Sequence, residues 1–127
     1  MCSSDLMRTA SMLHKLVSSD PRAVSAKESL QMATIGGARA LGMERQIGSL
    51  EPGKRADIII VGMNRARQTP LYDPISHLVY TTRGEDVETT IVNGKVLMRD
   101  RKVLTLDANR VLQESRQWAE KVRAAVQ

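Results

Sequence analysis

An α+β fold is predicted on three observations. The first part of the chain is punctuated as helices, a middle part alternates at the two-residue period of strands, and the last part returns to helical spacing. The boundaries so drawn are a helical segment over 1–46, a β-rich segment over 47–106 and a terminal helix over 107–127.

In the helical segment, Leu6, Ala10, Leu13 and Val17 recur at helical spacing until Asp20-Pro21 stops the pattern. Ser25-Ala26-Lys27-Glu28 is a capping box, because the Ser25 hydroxyl and the Glu28 carboxylate can each satisfy a backbone N–H that the helix leaves free. Leu30, Ala33, Thr34, Gly37 and Leu41 carry one face onward. Gly36-Gly37 within that face costs about 1 kcal/mol per glycine unless something packs closely there, and Gly42 supplies a stop. In the middle segment Ile58 to Val61 is a continuous apolar run, as expected of a strand covered on both faces. Val87, Thr89 and Ile91 alternate with their neighbours, Asn93-Gly94 suits a type I′ turn, Lys95 to Met98 returns, and "RDRK" leads into a further strand over Val103-Leu104-Thr105. Asn64 to Pro74, poor in apolar residues, is expected as a long loop. Asp107 can cap the last helix, with Val111, Ser115, Trp118, Val122 and Ala125 on one face and Lys121 and Arg123 near the end where the helix dipole favours cations.

Composition narrows the function. A chain of 127 residues holds one core, and aromatics at 2% leave aliphatic residues and seven Met to fill it. The net charge of +5 is spread along the chain without stacking rings, which argues against a nucleic-acid surface. Cys2 is the only cysteine and no apolar run approaches membrane length, so a cytoplasmic protein with no membrane partner is expected.

The segment "IGSLEPGKRADIIIV", Ile47 to Val61, has the glycine–lysine spacing of a phosphate loop, but it precedes a strand instead of opening a helix, and Arg55 comes after the lysine where a hydroxyl would hold magnesium. A turn with Pro52 and Gly53 at its centre is the simpler account. His14 and His77 stand in no metal-binding spacing; His14 suits a helix end and His77 a bond to loop backbone. Cys2 lies near the terminus, where a catalytic thiol is not expected, and Ser3 and Ser4 before Asp5 suit helix caps better than nucleophiles. No residue is therefore assigned as catalytic, cofactor-binding or metal-ligating.

The same "IGSLEPGKRADIIIV" segment, with "SLQMATIGGARALG" from Ser29 to Gly42 and "PLYDPISHLVYTTRGEDVETTIVNGKVLMRD" from Pro70 to Asp100, resembles the metal-dependent amidohydrolases of the cytosine-deaminase-like, chlorohydrolase and methylthioadenosine/S-adenosylhomocysteine deaminase branch. The resemblance implies the last helices of a (β/α)8 barrel, the C-terminal strands of its flanking β-sandwich and a C-terminal helix. It also implies a zinc or iron site in the complete enzyme, built from an HxH pair, two further histidines and an aspartate. None of these has a counterpart here: "MCSSDLM" is similar to the turn after that aspartate, and Asp5 falls on its helix side. Lys54-Arg55-Ala56-Asp57 is implied to be a structural turn from barrel to sandwich, its charges in water. The expectation is the C-terminal piece of a hydrolase of C–N or C–Cl bonds, inert alone, with the missing barrel portion or further copies of itself as partners. The alternative is a free-standing, self-associating module without enzymatic activity.

Overall fold

The computed structural model describes residues 3–126, and side chains over 5–125. Helix α1 spans Ser3–Ser18 and α2 Ala26–Gln31; a π-helical turn over Met32–Gly36 leads to α3, Gly37–Ala40. Strand β1 is Ile58–Val61, a 3-10 turn covers Ala66–Gln68, and α4 is Pro74–Tyr80. Strands β2 (Val87–Val92), β3 (Lys95–Arg99) and β4 (Lys102–Val103) come next, and α5 is Ala108–Val126. The strands form one antiparallel sheet in the order β1-β2-β3-β4, with Ile58 opposite Ile91 and a bulge between Ile60 and Val61. The architecture is α+β, as predicted. Among the described residues no helix is long and apolar enough to cross a membrane.

Local chemistry explains most of these elements. The Ser25 capping box forms as expected: the Glu28 N–H donates to Ser25 Oγ and the Ser25 N–H to Glu28 Oε2 at 2.7 Å. Asn93 (φ 48°) and Gly94 (φ 77°) take the paired left-handed conformations of a type I′ turn between β2 and β3. Asp100 and Arg101 do the same between β3 and β4.

Several expectations need correction. The stripe Leu6, Leu13 and Val17 is exposed; Met7 and Ser11 face inward, because α1 has apolar residues on more than one side and α2 and α4 pack against the side that carries Met7. The face through Leu30 to Leu41 is broken at Thr34 (φ −120°, ψ −105°), where the π turn rotates α3 relative to α2, and Leu41 is exposed. A Cβ on Gly36 would come within 2.9 Å of the Gln31 carbonyl oxygen, so that turn needs its glycine. Strand β1 is not covered on both faces: the neighbours Ile59 and Ile60, which point to opposite faces, are 49% and 51% exposed. The last strand is Lys102–Val103 and not 103–105; Leu104 still donates its N–H to the Leu97 carbonyl. "DPISHLVY" is helix α4, not loop. Asp73 caps it by accepting from the Ile75 and Ser76 N–H groups and Pro74 occupies its first turn, a start signal legible in the sequence. The stretch 64–74 contains the 3-10 turn and the fully buried Gln68, so it is not simply an open loop.

The core lies among α1, α2 and α4: Met7, Ala26 and Val79, with Leu30, Ile75, Leu78 and Tyr80 packed around them.

Candidate functional site

Between the helices and β1 runs an apolar cleft of about 400 Å³, lined by Met7, Leu30, Ile59, Val61, Leu78 and Val87 among others. Its one ionisable lining group, Asp57, already accepts the Asn93 N–H at 2.7 Å. Such walls exclude water and seat apolar matter.

Beside the core, Ser11, Lys15 and Tyr80 converge in the manner of a nucleophile with its base. Ser11 is fully buried, with its Oγ 2.8 Å from the Tyr80 hydroxyl and 3.1 Å from Lys15 Nζ. The hydrogen bonds give this serine a structural role. Ser11 Oγ donates to the Val24 carbonyl at 2.6 Å, and the three N–H bonds of the ammonium go to Ser11 Oγ, the Ala23 carbonyl at 2.6 Å and the Val24 carbonyl at 3.0 Å. Lys15 thus spends its hydrogen bonds on the serine and on two backbone carbonyls. The cluster pins the loop before α2, where Val24 is held at φ 47°, a left-handed conformation uncommon for a β-branched residue. Sequence reasoning missed it because Ser11 and Tyr80 are 69 positions apart.

A second buried polar group ties the 3-10 turn to the turn before β2. Arg67 Nη2 lies 2.5 and 2.6 Å from the two carboxylate oxygens of Asp86, whose side chain is fully buried, and the Arg83 N–H donates to the same carboxylate at 2.8 Å. Burial pushes the Asp86 carboxyl up, but the Arg83 N–H and the Arg67 guanidinium outweigh it and hold the group below its usual range. Gln68 fits behind this pair, its Oε1 accepting the Arg65 N–H and its amide reaching the Gly62 carbonyl and the Thr82 hydroxyl. This network fixes loops.

The turn over Glu51 to Lys54 forms as read, Gly53 at φ 89° and the Lys54 N–H donating to the Glu51 carbonyl. Its charges are not all in water, however: the Lys54 side chain is only 11% exposed, folded against Ser49 Oγ at 2.5 Å and Glu51 at 3.4 Å. The neighbouring Gly48, at φ 91°, packs so closely on α3 that a Cβ would meet that of Ala38 at 2.7 Å.

Against known proteins, a profile of the amidohydrolase family matches residues 1–97. The chain belongs to the amidohydrolase family. This amidohydrolase chain is 49% identical over 120 residues to a 5′-deoxyadenosine deaminase of Methanosarcina mazei, a match covering 94% of this chain and 27% of the relative. It is 51% identical over 104 residues to a 5-methylthioadenosine/S-adenosylhomocysteine deaminase of Moorella thermoacetica, covering 82% and 24%. Among solved structures, an adenosine deaminase from Xanthomonas campestris with bound zinc superposes with a TM-score of 0.85 at 35% identity, over 95% of this chain and 28% of that one. The atrazine chlorohydrolase of Arthrobacter aurescens, complexed with zinc, does so with a TM-score of 0.75 at 29% identity, over 91% and 25%. The amidohydrolase chain thus spans about a quarter of the length of the relatives it matches.

Among the described residues no three His, Cys, Asp or Glu side chains converge as a metal would require. His14 is exposed on α1, and its carbonyl receives the Ser18 hydroxyl. His77 Nδ1 sits 2.9 Å from the Asp73 carbonyl oxygen, so it does bond backbone, within a helix instead of a loop. Asp5 lies beside Arg8 on α1. Cys2 and the side chains of Ser3 and Ser4 fall outside the described residues.

Proposed function

We propose that this chain is the C-terminal piece of a metal-dependent amidohydrolase that removes an amino group from an adenine nucleoside altered at its 5′ position, and that it does not catalyse the reaction alone. The observation that carries this reading is the contrast in coverage: 94% of this chain, against 27% of the Methanosarcina mazei deaminase, at 49% identity. The reading extends to architecture. Helices α1, α2 and α4 correspond to the outer layer at the end of the barrel, and β1 to β4 to the strands that the C-terminus adds to the flanking sandwich. The hydrolytic water would be activated by a metal held in the missing portion, for which this chain supplies packing and no ligand. The chain is placed in the cytoplasm, where its single cysteine would stay reduced.

The test has two arms. The purified chain should bind no stoichiometric zinc and release no ammonia from 5′-deoxyadenosine. Co-expressed with the preceding portion of the Methanosarcina mazei deaminase, it should restore ammonia release. Turnover by the chain alone would refute its inertness, and failure of complementation by a soluble, co-purifying pair would refute the assignment as a missing piece.

A further inference from the structure

Helix α5 carries a stripe that the rest of the fold leaves uncovered. Val111, Ser115, Trp118, Val122 and Ala125 succeed one another at intervals of four, three, four and three residues. That is the spacing of a helix face made to seat on another helix or on a core. All five are exposed, Trp118 at 64%. One flank of the seam holds Leu112 and Ala119, the other Glu114 and Lys121. Arg110 holds the Glu114 carboxylate at 2.7 Å, and the Lys121 ammonium lies 4.6 Å from the centre of the Trp118 ring, so both charges border the seam.

This pattern is complementary to itself when reversed. Laid antiparallel, Val111 meets Val122 of the second copy and the Trp118 indole covers the small Ser115. Leu112 abuts Ala119 on the apolar flank, and Glu114 lies beside Lys121 on the charged one. Two-fold symmetry makes each contact twice, the hallmark of an isologous interface. A parallel pair would stack Trp118 on Trp118 and set Glu114 against Ala119, wasting the charges. We propose that α5 is a self-association surface through which two copies of this chain pair antiparallel along the Val111–Ala125 seam. The inference rests on the residue pattern of α5, for which the preceding portion of a related deaminase is the competing occupant.

Sedimentation equilibrium together with Trp118 fluorescence tests it, Trp118 being the only tryptophan in the chain. The 127-residue chain should dimerise with concentration, its emission moving to the blue as the ring leaves water. Lys121→Glu, which sets like charges together twice, should raise the dimer dissociation constant about tenfold. Combining it with Glu114→Lys should return the constant to near its original value. Both positions are exposed, so the fold should survive, which circular dichroism can verify. A chain that stays monomeric at several hundred micromolar overturns the proposal, as does a dimer indifferent to Lys121→Glu. It is equally overturned if the preceding portion of the related deaminase, supplied in trans, dissolves the dimer while Trp118 stays buried, since α5 would then be a seat for that portion.

Discussion

Asp86 shows how one residue can organise two loops that are distant in sequence. Its carboxylate is fully buried yet accepts from Arg67 and the Arg83 N–H, so removing its charge leaves a guanidinium facing a neutral amide in a site shaped for an ion pair. Asp86→Asn should lower stability by about 3 kcal/mol in urea unfolding. The pH dependence has a definite sign. Because the native carboxyl is held below the ordinary aspartate range, the unfolded chain binds more protons in the window between the two values. The Asp86 contribution is present above the ordinary range and is lost as the pH falls through the lowered native value. The stability difference between the parent and Asp86→Asn should therefore be constant near neutrality and shrink in acid. None of this is legible in the sequence, since "RQ" at 67–68 and "GED" at 84–86 carry no mark of each other. The turn at Pro52-Gly53 is legible, because its geometry is a property of two adjacent residues; the burial of Lys54 is not, because it depends on how Ser49 and Glu51 fold back over it.

At the scale of elements, local signals suffice wherever a helix start or a tight turn is at issue. The Ser25 box and the Asn93-Gly94 turn are satisfied within a few residues, so the sequence is enough to place them. Ser25→Ala should cost about 1 kcal/mol, read as a lowered melting temperature, with the loss concentrated in α2 and visible as faster amide exchange there. Helix α4 carries an equally local signal in Asp73-Pro74, which the apolar-poor stretch before it obscures. The π turn is different in kind: nothing in "MATIG" announces Thr34's conformation, which results from the packing of the glycines and the loop through Gly48 around it.

At the scale of the molecule, the fold leaves much apolar surface unburied. Among the described residues the buried apolar side chains are Met7, Ala26, Ala38 and Val79, while Leu13, Leu16, Val17, Ile59 and Ile60 are exposed together with the seam of α5. Patches of this kind mark surfaces that partners cover. A dye sensitive to apolar surface should therefore bind the isolated chain strongly, and its fluorescence should fall when the preceding portion of a related deaminase is added. A weak signal from the chain alone would mean that α1 and β1 cover each other in solution. The sequence by itself determined the α+β class, the start of α2, the hairpin turns and the family, because each is written in adjacent residues or in a run of matching motifs. Only the tertiary structure decided which face of α1 is buried, that β1 is open, and that Ser11, Lys15 and Tyr80 form one hydrogen-bonded brace. The physical reason is that periodicity reports which residues could be buried, whereas burial and proton inventory depend on which other elements arrive to meet them.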